Sequence, residues 1–222
     1  MRRGKFCSIL FVLFWFVECV SPLRANMVYP LKIFDRDAKY FGSSDLNLYV
    51  SVADTKAGQV DFTFYNDSLA DSSIARIYFD DDGYLSGLAG IEGSGVSFSQ
   101  SARPENLPAA RLLDPPFETT GRFSVDGDSP VPKSGINPGQ WAKLTFDLTS
   151  GSTFSDVVGA LDVGTLRAGI HIIALPDGSS ASAVTIPEPA TLLLFGTAGV
   201  WVLTRKRRSL EENSANKSRL CF

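Results

Sequence analysis

The segment 26–186 contains no cysteine and only one histidine. All three cysteines of the chain, Cys7, Cys19 and Cys221, lie outside it, which excludes a disulfide framework and a cysteine-bound zinc site from this segment. Its stability must therefore come from buried apolar side chains. About 160 residues are enough to form such a core, and they predict one domain.

Positive charge is also scarce in the middle of the chain. The formal net charge of the whole chain is −3, but residues 1–25 contribute +3 and residues 205–222 contribute +4, which leaves −10 for residues 26–204. A surface this acidic repels phosphate backbones, so no nucleic-acid partner is expected.

Recognised catalytic motifs are missing as well. The sequence has no phosphate-binding glycine loop, cysteine metal cluster or nucleophile elbow. His171 could act as a base, but a lone histidine in an apolar strand more often packs or hydrogen-bonds structurally. A glycosidase pair could be drawn from the aspartates with Glu105 or Glu118, yet no spacing selects two. The sequence predicts a protein that is not an enzyme, with a secreted hydrolase of matrix polysaccharide as the alternative.

The first 25 residues have the layout of a secretory signal peptide. An apolar run at 6–17 follows a basic start and is followed by a small-residue cleavage site at Ala25. The basic residues are Arg2, Arg3 and Lys5. The run is rich in aromatic residues, so it could also remain uncleaved as an anchor. Either outcome predicts that the following domain is exported.

The segment 186–208 reads IPEPATLLLFGTAGVWVLTRKRR. Its prolines end any regular element that arrives from upstream. The uncharged residues 190–204 would form a helix of about 22 Å, which is short for a hydrocarbon core of about 30 Å. Basic side chains can extend such a span by snorkelling. The sequence therefore predicts a single transmembrane helix at about 190–204.

Four consecutive basic residues follow this helix: Arg205, Lys206, Arg207 and Arg208. The positive-inside rule places them, and the polar tail 209–222, on the cytoplasmic side, with the domain outside. A buried core helix of the same length is the alternative, but packing in a core does not explain four consecutive cations at the end of the helix.

This segment resembles the PEP-CTERM sorting signal of bacteria that make abundant extracellular polysaccharide. The resemblance covers the tripeptide Pro187, Glu188 and Pro189, the apolar span and the basic stop, in that order. It implies export, retention in the cytoplasmic membrane, and cleavage near the tripeptide by an exosortase. The protein would then join the cell surface or the extracellular matrix, with exopolysaccharide as a candidate partner.

The middle of the chain alternates apolar and polar residues in short runs. This period of two predicts half-buried antiparallel strands, and hence a mainly β domain that forms an antiparallel, jelly-roll-like β-sandwich over 26–186. The clearest runs are 46–52, 60–65, 75–79 and 142–148, and shorter candidates are 96–99, 122–125 and 183–186. The run 166–175 has apolar residues on both sides and predicts a central strand.

One helix and three irregular connections complete the predicted domain. Thr153 and Asp156 form a capping-box pattern, and apolar residues share one helical face over 153–161. The proline-rich stretches 103–121 and 126–139 predict irregular structure, as does 80–95. Connections this long are where a binding surface would be sought.

Two sets of side chains are candidates for binding. Asp80, Asp81 and Asp82 offer oxygen ligands for weak Ca²⁺ binding outside the cell. The spacing of a calcium loop is absent, however, and a solvated strand edge is the alternative interpretation. Aromatic residues could contact a glycan, and the candidates are Tyr78, Tyr84 and Trp141. No cofactor is expected beyond such a weak calcium site.

The domain itself also resembles a soluble domain found in many PEP-CTERM proteins, over about 60–181. The resemblance rests on short motifs that include IYFDD at 77–81, PPF at 115–117, GINPG at 135–139 and GIH at 169–171. It implies a β-sandwich with a surface-associated role, and it supplies no catalytic residue. A glycan-binding module is therefore kept as a further functional hypothesis.

Overall fold

The computed structural model describes residues 25–36 and 38–186, and these residues form a mainly β domain. The strands are β1 (Asn26–Ile33), β2 (Leu48–Asp54), β3 (Gln59–Asn66), β4 (Ser73–Asp81), β5 (Leu85–Gly93), β6 (Phe98–Gln100), β7 (Ser124–Gly127), β8 (Gln140–Leu148), β9 (Leu166–Ile173) and β10 (Ala181–Thr185). Two α-helices are present in this part of the chain, α1 (Val131–Ser134) and α2 (Phe154–Val163), with a 3₁₀ turn at Ala110–Leu112.

The predicted terminal segments lie outside the described residues. This applies to the signal peptide up to residue 24, the proline tripeptide, the membrane helix at 190–204, the basic stop and the tail 209–222. Between residues 25 and 186, no described helix combines the length and apolarity needed to cross a bilayer.

The ten strands form one antiparallel sheet of order β5-β8-β3-β2-β1-β10-β9-β4-β7-β6. Strand β1 joins its two halves, because residues 26–30 pair with β2 whereas residues 31–33 pair with β10. The prediction of a mainly β, antiparallel domain is confirmed. Strand β1 itself was not among the predicted strands.

The core lies between the two halves of this nearly closed sheet. Phe79 of β4 meets Phe62 of β3 and Phe146 of β8 edge-on, with ring centroids 5.0 Å and 4.8 Å apart. Strand β4 belongs to one half of the strand order, and β3 and β8 belong to the other. Such ring contacts therefore require that the sheet folds back on itself.

Helix α2 forms where the capping pattern predicted it. The Thr153 hydroxyl accepts a hydrogen bond from the Asp156 amide, and the Asp156 carboxylate accepts one from the Thr153 amide at 2.8 Å. Gly164 ends the helix at φ 79°, a left-handed conformation that glycine adopts without a steric penalty. The helix prediction is confirmed, and the helix extends two residues beyond its predicted end.

Two of the predicted irregular connections contain regular structure. The stretch 80–95 holds the end of β4 and all of β5, whose alternation is obscured by glycines and by shifts of register against β8. Gly93 is required there, because a Cβ would lie 2.8 Å from the Trp141 carbonyl oxygen. The stretch 126–139 contains α1, since a proline in the first helical turn gives up no backbone hydrogen bond.

The third connection, residues 103–121, packs against the outside of the sheet. We call it the covering loop. Its Leu107 and Phe117 join Tyr78, Ala102 and Val184 in a second buried apolar cluster. Gly169 of β9 makes this possible, because a Cβ there would lie 2.9 Å from Leu107 and 3.1 Å from Phe117.

Candidate binding face

The first predicted aspartate, Asp80, holds the covering loop in place. Its carboxylate pairs with the Arg167 guanidinium, whose Nε lies 3.1 Å away. Arg167 also donates hydrogen bonds to the carbonyl oxygens of Pro115 at 2.8 Å and Pro116 at 2.6 Å. Its guanidinium lies 5.3 Å from the ring centre of Phe117. Asp80 thus has a structural role. We call Asp80 and Arg167, with their contacts to the covering loop, the clasp.

The other two aspartates of the trio point to different surroundings. Asp81 is buried, and its carboxylate accepts hydrogen bonds from the amides of Tyr84 and Leu85, both at 3.0 Å. Burial raises the pKa of Asp81, and these amide hydrogen bonds act in the opposite direction. Asp82 is exposed. Within residues 25–36 and 38–186, no group of three or more His, Cys, Asp or Glu side chains is placed to hold a metal ion.

The prediction that Tyr78 contacts a glycan is wrong, because Tyr78 is fully buried. Its hydroxyl donates a hydrogen bond to the Pro104 carbonyl oxygen at 3.1 Å, and burial raises its pKa to about 12. The covering loop removes it from the surface. Tyr84 is half-buried at the β4–β5 turn and packs against the main core. Trp141 is also half-buried, on the outer face of β8.

Trp141 belongs to a row of three aromatic side chains across neighbouring strands. Tyr49 of β2 lies opposite Tyr65 of β3, and Tyr65 lies opposite Trp141 of β8. Their chain neighbours Val50, Phe64 and Ala142 are fully buried in the core. Because side chains alternate along a strand, the three aromatic residues share the outer face of the sheet. We call them the aromatic row.

The aromatic row is held rigidly at one end. The rings of Tyr49 and Tyr65 stack with centroids 4.9 Å apart and an angle of 14° between their planes. The Tyr49 hydroxyl donates a hydrogen bond to the Asp67 carboxylate at 2.7 Å. This hydrogen bond, together with partial burial, raises the pKa of Tyr49 to about 12. Two rings and a carboxylate thereby restrain one another.

Polar side chains occupy the next position on the same face of β2, β3 and β8, and β5 continues their row. Ser51, Thr63, Lys143 and Glu92 lie opposite one another in that order. The Lys143 ammonium lies 3.0 Å from Glu92 and 3.7 Å from Asp61, and these carboxylates raise its pKa. The outer face therefore combines aromatic rings with hydroxyl groups and charged hydrogen-bonding groups.

Tyr49 and Tyr65 were not predicted as candidate site residues. Their alternation with Val50 and Phe64 already placed both on an outer face, but the sequence does not say which strands are neighbours or in which register. The pairing of β2, β3 and β8 supplies that information. A row of half-buried aromatic residues on three neighbouring strands could have been found only after the pairing was known.

His171 has structural contacts, as the sequence analysis favoured. Its Nδ1 lies 3.3 Å from the Ser182 hydroxyl, and it sits opposite Arg76 in the β4–β9 pair. Burial lowers its pKa, and the Arg76 charge lowers it further. Arg76 is itself paired with Asp126 at 3.1 Å. The histidine thus lies within a row of paired polar groups.

Residues 185–208 match the family model described as the PEP-CTERM protein-sorting motif. The chain carries a PEP-CTERM protein-sorting motif. The match contains the predicted tripeptide and the predicted basic stop, and it confirms the resemblance seen in the sequence. PEP-CTERM signals indicate an exported protein that is anchored in the membrane and then processed by an exosortase. No curated protein and no solved structure matches the chain.

The PEP-CTERM motif follows the folded domain without a linker. Its first matched residue, Thr185, is also the last residue of β10 and is buried. The Thr185 hydroxyl accepts a hydrogen bond from the Ala168 amide at 3.0 Å. Ile186 is the first residue beyond the strand, and 37% of its surface is exposed. A single residue, Ile186, therefore separates the last strand from the tripeptide.

Proposed function

We propose that this chain is a non-enzymatic protein of the bacterial cell surface or extracellular matrix. It is exported, tethered in the cytoplasmic membrane by a single C-terminal span, and then released from that span by an exosortase. The PEP-CTERM match at residues 185–208 is the observation that carries this proposal. The mature part is the folded domain, which we interpret as a β-sandwich because the phenylalanine rings of its two halves meet.

The position of the PEP-CTERM motif supports release of an intact domain. All five residues of β10 are buried, and the strand is paired on both sides, by β1 and by β9. Cleavage within or before β10 would remove a central strand and expose the core. Cleavage after Ile186 would leave every described strand in place. The tripeptide begins at Pro187, beyond the last strand, so cleavage within it would leave the domain intact.

The non-enzymatic part of the proposal rests on the polar groups of the domain. The ion-paired Asp80 and the buried carboxylates of Asp81 and Asp61 serve an ion pair, a turn and a cross-strand network, respectively. Each has a structural partner that accounts for its position. A secreted polysaccharide hydrolase remains the alternative. Release of reducing sugar by the purified protein, abolished by replacing one carboxylate, would contradict our proposal.

Intact-mass analysis of the protein from membranes and from culture fluid tests the proposal directly. In a host that has an exosortase, we expect a membrane form without the signal peptide and a released form that ends near Pro187. Replacing Pro187, Glu188 and Pro189 by alanine should abolish the released form. The matched control replaces Glu211 and Glu212 by glutamine in the tail and should leave processing unchanged. Recovery of the full-length chain from the cytoplasm alone would overturn the proposal.

A further inference from the structure

We infer that the aromatic row, Tyr49, Tyr65 and Trp141, is a binding site for a polysaccharide chain whose sugars carry no acidic groups. The inference deepens the proposed function, because such a chain is available to a protein of the cell surface or matrix. Its physical basis is independent of export, however, and it can be tested on purified protein.

The spacing of the row suits a chain of sugar rings. Neighbouring strands lie about 4.8 Å apart, so the two ends of the row are separated by about 10 Å. This is comparable to the length of a disaccharide in an extended chain. Pro30 of β1 is exposed and lies opposite Tyr49, which extends this outer face by one more strand. The row therefore offers a stripe that crosses four strands.

The chemistry of the row suits the apolar side of a sugar ring. Aromatic side chains have electron-rich faces and bury large apolar areas. The Tyr49 and Tyr65 rings cover one face of each other, so the row offers a ligand their edges and outer faces together with the Trp141 ring. A pyranose ring presents C–H groups on its faces and hydroxyl groups at its rim. Beside the row, Thr63, Lys143 and Glu92 provide a hydroxyl, an ammonium and a carboxylate that can hydrogen-bond to such a rim. A rigid row also loses little conformational entropy on binding.

The charge of the same face determines which polysaccharides can bind. Asp67 adjoins the aromatic row, and Asp61, Asp147 and Glu92 lie further along β3, β8 and β5, with Lys143 as the basic residue among them. Residues 26–204 carry −10 overall. Polyuronates would be repelled by this field at low salt, whereas neutral and amino sugars would not.

Tryptophan fluorescence provides a direct assay for this site. The chain has three tryptophans, and Trp141 is the one within 26–186, while Trp15 and Trp201 lie in the terminal segments. The full-length chain with Trp15 and Trp201 replaced by phenylalanine would be purified in a detergent without sugar head groups. It would be titrated with a soluble neutral glucan, with chitosan oligosaccharides and with a polyuronate. We expect a saturable change with the glucan or the chitosan, and a much weaker response to the polyuronate.

Substitutions locate the binding on the face. Binding of the responding glycan, measured by calorimetry, should weaken about tenfold or more for Tyr65→Ala and for Trp141→Ala. Trp141→Phe should retain most of the affinity, because it keeps an aromatic ring. The matched control is Phe41→Ala, since Phe41 is an aromatic residue with 46% exposure that lies outside the face. Thermal unfolding of each variant identifies any that no longer fold.

Several outcomes would overturn the inference. They are the absence of binding to both non-acidic glycans, equal affinity for the polyuronate, or an equal loss in Phe41→Ala. Unchanged affinity in folded Tyr65→Ala and Trp141→Ala proteins would overturn it as well. If the purified protein binds glycan but is not exported, the proposed function fails and the site stands. If it is exported and processed but binds none of these glycans, the site fails alone.

Discussion

Replacing Arg167 by methionine should release the covering loop and lower the stability of the domain. Arg167 connects β9 to this loop through Asp80, two proline carbonyl oxygens and the Phe117 ring. Methionine matches the aliphatic stem of arginine but has no charge and no hydrogen-bond donor. It therefore removes these polar contacts while it keeps most of the packing.

The magnitude follows from the contacts that are lost. The two hydrogen bonds to carbonyl oxygens are each worth about 1 kcal/mol, and the cation–π contact adds about 1 kcal/mol. Asp80 also loses its ion-pair partner, but it still accepts a hydrogen bond from the Glu118 amide at 3.2 Å. This remaining contact limits the penalty for Asp80. We expect the free energy of unfolding to fall by about 3 kcal/mol.

Urea denaturation of the full-length protein measures this loss, and amide hydrogen exchange locates it. Exchange should accelerate in residues 103–121, including the Phe117 amide, which donates to the Ala110 carbonyl oxygen. Arg111→Met is the matched control, because Arg111 is exposed on the same loop, and it should change stability by less than about 0.5 kcal/mol. If the two variants are equally stable, the clasp does not hold the loop and our reasoning is wrong.

Three further predictions concern other parts of the domain. First, burial lowers the pKa of His171, so the unfolded chain binds a proton more readily; stability should be full above about pH 6.5 and should fall as the pH drops below it. His171→Gln should remove this part of the pH dependence in urea denaturation from pH 7 to 5, and an unchanged profile would contradict it. Second, Thr153→Ala should cost about 1 kcal/mol by removing the cap of α2, whereas Thr153→Ser should cost much less; equal losses would show that the cap is not responsible. Third, millimolar Ca²⁺ should not raise the melting temperature, because Asp80 and Asp81 already have partners; a rise that is lost in Asp82→Asn would restore the calcium hypothesis.

The chain's local patterns were sufficient to predict the class of the domain and most of its elements. Alternation of period two depends only on the geometry of a single strand, and it located β2, β3, β4, β8 and β9. The capping box of α2 is equally local, since it joins residues three apart. The PEP-CTERM motif is read along the chain as well, and the family match confirmed it. None of these predictions required knowledge of a distant contact.

The binding face was only partly predictable because its geometry depends on strand pairing. Trp141 was a candidate from the start, but its neighbours Tyr65 and Tyr49 come from strands 76 and 92 residues earlier in the sequence. A shift of one residue in either pairing would turn these rings into the core. The alternation that located each strand is the same for every possible register.

The sequence by itself determined an acidic, disulfide-free β domain followed by a sorting signal, because composition, alternation and motif order are local properties of the chain. The tertiary structure decided which aromatic residues reach solvent. Tyr78 and Trp141 look alike as sequence features, yet the covering loop buries the first while the second stays on an open face. The tertiary structure also decided that Asp80 pairs with Arg167, that Asp81 accepts hydrogen bonds within a turn, and that Asp82 stays exposed. Burial depends on what packs over a strand, and segments distant in sequence supply that packing.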